Sequence, residues 1–266
     1  MNDRPGNDRR TILAIAAVVF VVASLTHEGI GHGGACLVTG GKLLGLASSF
    51  CDCDKAGLTV GSVRLVKAAG TLANLGLGAV AVLVLRGRAW PPATRYALWM
   101  LGTVNLLHGG GYLLVDPLAG FGDWTAFMEG LAPPWAWRVG LSVIGLLLYA
   151  GTIRLALDAL EPFLGAEPDD RMARGRALCL PPYLWVGGVL MTGVALLNYE
   201  TPWLALSSAA ATLGGTSALA WMYRPRGRRA RPAAAAPIAV PASRGWQLLG
   251  MVAVLFALAY GRGFQF

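Results

Sequence analysis

His27 and His32 stand five positions apart, with Glu28 beside the first, in the stretch His27-Glu28-Gly29-Ile30-Gly31-His32. Two imidazoles and a carboxylate are groups that can hold a divalent metal and move a proton next to it. The chain has 266 residues and only three histidines, and all three lie inside or beside apolar runs of membrane length. An ionisable group is costly at that depth, so a His-Glu pair there marks a candidate functional site. The zinc-binding signature H-E-x-x-H sets its histidines four apart on one helix face. Five apart, an ideal α-helix points them about 140° away from each other. Two local structures would bring them together. One is a π-bulge, which Gly29 and Gly31 make accessible. The other is a helix that ends before His32, leaving that side chain to reach back from a loop. Either gives two nitrogen ligands with Glu28 placed to take a proton from bound water. The competing reading is a kinked helix whose polar side chains bond to backbone and hold no metal.

The elements that must position these residues are membrane spans. Hydrophobic residues make up 55% of the chain and charged residues 14%, with a mean hydropathy of +0.56. Several apolar runs reach the ~20 residues needed to cross a bilayer. The expected fold is an all-α integral membrane protein, a polytopic helical bundle of about six to seven transmembrane helices. The first run is too long to be a removable signal peptide, and the motif sits in its second half. A net charge of +8 could suggest nucleic acid, but the arginines cluster between spans, as membrane topology requires. Nucleic acid is therefore excluded as a partner, and membrane lipids are expected.

In chain order, residues 1–10 read as a cytoplasmic tail. Residues 11–134 hold three spans, about 11 to the low thirties, 63–85 and 94–115, and then a loop containing Gly122-Asp123-Trp124. A Gly-rich connector at 39–62 carries Cys51-Asp52-Cys53 and is expected to form a small β-hairpin. Residues 135–223 add three spans, about 135–157, 178–197 and 203–223, with a charged loop at 161–176. Residues 224–244 form a basic Ala/Pro-rich linker whose arginines could meet anionic lipid, and 245–266 hold the last span. On this reading sixteen of the 22 Lys and Arg fall on the amino-terminal side and six on the other. That asymmetry predicts a cytoplasmic amino terminus and an outward carboxyl terminus.

With seven spans, the second halves of spans one and three approach the same membrane face. Span three ends Asn105-Leu106-Leu107-His108-Gly109-Gly110-Gly111, followed by Asp116 and Asp123. A catalytic zinc takes three protein ligands and leaves a position for water. His108 and Asp123 are the alternatives for the third ligand, with Asp116 behind them.

His27-Glu28-Gly29-Ile30-Gly31-His32 in a first span resembles the motif of site-2-protease-type intramembrane metallopeptidases. Gly70-Thr71-Leu72-Ala73-Asn74 resembles that family's glycine-to-asparagine segment, with Thr71 where a proline is usual. Asn105-Leu106-Leu107-His108-Gly109-Gly110 resembles its N-L-L…D-G-G segment, with His108 in the place of the Asp that ligates zinc. Gly122-Asp123-Trp124 is similar to the equivalent acidic position of a divergent bacterial branch. The resemblance spans about residues 12–128 and makes 11–134 a metallopeptidase-like core. It implies a Zn2+ cofactor on His27, His32 and either Asp123 or His108, with Glu28 as catalytic base. It also implies hydrolysis of a transmembrane substrate protein, in a prokaryotic inner membrane. Asn74 and Asn105 are candidates for contact with substrate or oxyanion, against the alternative of interhelical hydrogen bonding. Two rival functions are carried forward, an inactive relative that binds or regulates, and a metal or solute transporter lined by its histidines.

Cys51 and Cys53 are read as redox or structural rather than as a second metal site, and Cys36 is a possible disulfide partner. Tryptophans 90, 124, 135, 137, 203 and 246 fall near span ends, where an interfacial belt is expected.

Overall fold

The computed structural model describes residues 6–198, 202–224 and 236–266. Six helices among them are long and apolar enough to cross a membrane. They are α1 (Arg9–Val38), α2 (Val60–Gly87), α3 (Pro92–Ala119), α5 (Pro134–Leu164), α6 (Asp169–Ala195) and α8 (Arg244–Arg262). Two shorter helices complete the set, α4 (Asp123–Phe127) and α7 (Pro202–Gly215). The chain is that of an all-α polytopic membrane protein.

Local chemistry sets the helix starts. Asp8 caps α1, its carboxylate accepting from the Thr11 amide at 2.8 Å and the Thr11 hydroxyl at 2.6 Å. Thr59 caps α2 by accepting from the Ser62 amide at 3.1 Å. Pro92 and Pro134 occupy first-turn positions of α3 and α5, where a missing N–H costs nothing. The 39–62 connector forms the expected hairpin from β1 (Lys42–Ala47) and β2 (Phe50–Asp54). A short β3 (Phe264–Gln265) pairs with β1, giving the order β2-β1-β3. Cys36 and Cys53 are joined by a disulfide that ties the hairpin to the end of α1.

α3 is the pillar of the bundle. The apolar window of α3 is 72% buried, against 22% for α5. Three successive glycines let it touch three neighbours at once. A Cβ on Gly109 would strike Leu75 of α2, one on Gly110 would crowd the Tyr149 backbone of α5, and one on Gly111 would strike Gly215 of α7. Between apolar spans such small-residue contacts let backbones approach and dispersion forces act. Two large polar side chains of α3 are bonded to its neighbours: Tyr96 donates to the Leu178 carbonyl at 2.7 Å and Trp99 to the Ala156 carbonyl at 2.9 Å.

The sixth expected span, 203–223, is broken. α7 stops after 14 residues at Gly214-Gly215 and continues as one 3-10 turn, Ser217–Ala220. Glycine is a poor helix former, and Gly215 is held here by close contact with His108 and Gly111 of α3. The segment still runs from one face to the other. Leu204 and Ser207 lie beside Phe50 of the hairpin, while Tyr223 packs on Gly175 near the start of α6. α1 and α8 are parallel neighbours. Gln247 donates to Asp8, the Ser243 amide donates to Thr11, and β3 follows α8 back to the hairpin face. The two ends of the described chain therefore lie on opposite faces of the bundle.

The 161–176 stretch, expected as a charged loop, is largely helical. α5 continues to Leu164 and α6 begins at Asp169, because Arg171 pairs with Glu161 at 2.8 Å and donates to the Gly165 carbonyl at 2.6 Å. Trp124 is not part of an interfacial belt: it is buried. Most of the basic linker, 225–235, falls outside the described residues.

The Thr11 hydrogen bond leads the groups that hold the Asp8 carboxyl below its ordinary range, and burial opposes it. Asp8→Ala is expected to cost about 1 kcal/mol, read as a lower unfolding midpoint in detergent. A lowered folded-state value makes this contribution complete above the ordinary carboxylate pKa. The gap between wild type and variant should close as pH falls through the lowered value.

Candidate metal centre

Both histidines sit on a widened turn of α1. Thr26–Gly33 is a π-helix, in which the Gly34 amide donates to the Gly29 carbonyl five residues back. The first of the two local structures expected from the spacing is the one adopted. His27 and His32 come within reach of a single atom, Asp123 Oδ2, with Nε2 distances of 3.3 and 3.0 Å. Donors bound to one ion at ~2.0–2.2 Å in tetrahedral geometry are themselves roughly 3.3 Å apart. The spacing fits.

The far side of each ring is fixed by a group that only accepts. His27 Nδ1 donates to Asn74 Oδ1 at 2.7 Å, and His32 Nδ1 donates to the Val66 carbonyl at 2.6 Å. Asn74 is oriented unambiguously, since its amide nitrogen donates to the Ala23 carbonyl at 3.0 Å and to Asn105 Oδ1 at 2.7 Å. With the Nδ1 positions protonated, neutral rings present lone pairs at Nε2. Two imidazole lone pairs and a carboxylate oxygen then converge on one point, an arrangement that calls for positive charge between them. His27, His32 and Asp123 thus form a group able to bind a metal ion, with their donor atoms all within 4.8 Å of one another. Anchoring of the second ring nitrogen is how proteins orient metal-bound histidines.

The approach of α2 is as tight as backbone allows. A Cβ on Gly31 would lie 2.5 Å from Gly70 Cα, and a Cβ on Gly70 would lie 2.6 Å from His32 Nε2 and 2.7 Å from His27 Nε2. Asp123 is delivered by the turn after α3. Gly120 ends that helix in the left-handed region and Gly122 has φ +87°, where a side chain would also collide with the Asp116 carboxylate. Trp124 Nε1 donates to Thr71 Oγ1 at 3.0 Å, and Thr125 Oγ1 donates to the Asp116 carbonyl at 2.7 Å. These bonds pin α4 against α2 and α3. Asp123 Oδ2 is the atom that both rings face. Lys67 Nζ lies 4.0 Å from the other carboxylate oxygen.

Glu28 is buried beside the two rings and lines a cleft of about 400 Å³ with His27, His32 and Asp123. The opposite walls come from the hairpin (Phe50, Cys51) and from α7 (Leu204, Ser207). Burial pushes the Cys51 thiol up to about 12, with the charge of Glu28 adding to it, so it stays protonated at neutral pH.

Of the sequence candidates, the structure brings together His27, His32, Glu28 and Asp123. His108 lies outside the donor group. Its ring stacks on His27 at 5.1 Å between centroids and lies tilted against Tyr112 at 4.6 Å. Neither ring nitrogen has a partner among the described residues, and the ring lines a mostly apolar cavity of about 20 Å³, room for about one water. Asp116 is buried behind the Gly122 turn. Asn74 and Asn105 form a chain from His27 into α3, where Asn105 donates to the Leu101 carbonyl at 2.9 Å. Both amide hydrogens of Asn74 are committed to Ala23 and Asn105, which makes it a brace under His27. Sequence reading passed over Thr71 and the Val66 carbonyl. The replacement of an expected proline by threonine was a signal for the first, whereas a backbone carbonyl leaves none.

Comparison of the chain with models of known protein families, with curated proteins and with solved structures found no match. The site is therefore argued from its own geometry.

Gly70→Ala places a methyl group against both Nε2 atoms, and Asn74→Leu removes the support of His27. Each is expected to weaken metal binding about 10- to 100-fold, measured by titration against a competing chelator, with helical content by circular dichroism unchanged.

Proposed function

We propose that this protein is an intramembrane zinc metallopeptidase that hydrolyses peptide bonds of membrane-embedded proteins. One observation carries the reading: the π turn aims His27 and His32 at one oxygen of Asp123 while Glu28 stands beside them on the wall of a cleft. The donor set and its anchored second nitrogens suit zinc, which prefers imidazole and carboxylate ligands with one position left open.

Zinc held by His27, His32 and Asp123 would acidify water and polarise the scissile carbonyl. The rest belongs to the chain. The Glu28 carboxylate takes the proton of the attacking water and returns it to the departing amide nitrogen. Asn74 and Val66 keep both imidazoles in the Nδ1–H tautomer, so that Nε2 remains a donor throughout. β2 is the edge strand of its sheet and lines the cleft, a setting in which an extended peptide adds as a further strand. A transmembrane helix must unwind before its backbone can lie this way, because inside a helix its amides are already paired. The cleft lies on the face of the Cys36–Cys53 disulfide, which favours an oxidising compartment there. The arginine distribution favours a cytoplasmic amino terminus, and the resemblance to the divergent bacterial branch favours a prokaryotic inner membrane.

The test is zinc content together with proteolysis of fluorescently labelled casein in micelles. About one zinc per wild-type chain is expected, lost in His27→Ala and Asp123→Ala and kept in His108→Ala. Glu28→Gln should keep the metal and lose cleavage by at least about 100-fold. Wild-type protein that is folded but binds no zinc would sink the peptidase reading. Bound zinc with cleavage untouched by Glu28→Gln would leave a metal-binding membrane protein of another kind.

A further inference from the structure

A second cavity lies at the opposite end of α2 and α3 from the metal centre. About 480 Å³ in volume, it is enclosed where the end of α2, the start of α3 and the end of α5 meet. Three arginines line it: Arg86 and Arg88 at the end of α2, and Arg95 in the first turns of α3. One carboxylate, Asp158 of α5, is the only acidic side chain in the lining, and it is itself engaged in an interaction. Three guanidinium charges against one carboxylate leave an excess of two positive charges in one pocket. Arg95 Nε is buried and has no hydrogen-bond partner among the described residues. Arg88 is held in place, its guanidinium 3.7 Å above the Trp90 ring while Trp90 Nε1 donates to the Val84 carbonyl at 2.9 Å.

Arginines at span ends ordinarily reach outward into water one by one. These three border one space between helices, Arg86 and Arg88 with exposed side chains and Arg95 partly buried, and the remaining lining sets apolar side chains beside Thr103, Thr152 and Asp158. Val82, Leu85, Leu106 and Leu155 form its walls. Outside it, Leu83 and Val84 of α2 and Leu147 of α5 are exposed on the bundle surface. A ligand that satisfies both parts is an amphiphile with a phosphate at one end. Guanidinium forks pair bidentately with phosphate oxygens, and basic pockets between transmembrane helices bind anionic lipid head groups. A free phosphate would use the arginines and leave the apolar walls uncovered.

We propose that the cavity formed by Arg86, Arg88 and Arg95 between α2, α3 and α5 binds the head group of an anionic phospholipid, whose acyl chains lie along the exposed apolar faces of α2 and α5. The occupied site would clamp the three helix ends that meet there. This site is independent of the metal centre and of any reading of its chemistry.

The experiment is native mass spectrometry of the full chain released from micelles containing equal amounts of phosphatidylglycerol and phosphatidylcholine. Wild type is expected to retain one phosphatidylglycerol in preference to phosphatidylcholine. Paired Arg86→Gln and Arg95→Gln substitutions should lower that retention by about 30-fold. Inorganic phosphate and glycerol 3-phosphate, added at millimolar concentration, should neither bind nor displace the lipid. Equal retention of the two lipids, or undiminished retention in the double variant, overturns the proposal. Binding of inorganic phosphate as tight as that of the lipid overturns the lipid as its source. If the double variant fails to fold, the wild-type preference between the two lipids decides.

Discussion

The widened turn at Thr26–Gly33 is the constraint on which the site depends. Histidines five residues apart cannot share a face of a regular α-helix. One extra residue in the turn solves this, at the cost of poorer hydrogen-bond geometry within α1. Neighbouring helices hold the turn in place. Asn74 and the Val66 carbonyl of α2 each accept a hydrogen bond from Nδ1 of one ring, and the facing glycines 31 and 70 let the two backbones meet. With larger residues there, α2 would stand further off and neither accepting group could reach its histidine.

The third donor arrives by a different route, and its support is as particular. α3 carries no donor of the group, yet it fixes where Asp123 must go. Its end at Gly120, the Gly122 turn over Asp116 and the Thr125 bond to the Asp116 carbonyl set the path of the chain. The Trp124–Thr71 bond then fastens that path to α2. A buried hydrogen-bond network of this kind specifies a geometry when every member is satisfied, and costs free energy when one is removed. His108 belongs to the packing around this centre, with its ring face against His27.

The bundle is polarised along its axis. The three histidines gather with Glu28, Asp116, Asp123, Asn74 and Asn105 towards the face where α1 ends and the hairpin folds back. Arginines gather at the other face, where α2 ends and α5 ends. The short α7 contributes to this polarity. Its Leu204, Ser207 and Ser208 form one wall of the cleft, across from the hairpin and beside the group able to bind a metal ion.

The membrane class, six of the spans, the hairpin and the face on which the polar residues gather were legible in the chain itself. Apolar run length and turn-forming residues encode them locally. His27, Glu28 and His32 were legible too, because ionisable side chains are scarce in apolar runs and stand out there. The choice of the π turn over a broken helix was not, since Gly29 and Gly31 permit both. Nor was the choice between Asp123 and His108, because each lies near the right depth and only the path of the chain beyond Gly120 decides which one reaches the rings. The pairing of Cys36 with Cys53, the bond from Thr71 to Trp124 and the break of the 203–223 span likewise depend on neighbours distant in sequence. The sequence by itself determined which groups would have to be satisfied in an apolar interior. The tertiary structure decided which partner satisfies each, because distances of 2.6–3.3 Å between groups up to 96 residues apart follow from helix packing and cannot be read from spacing along the chain.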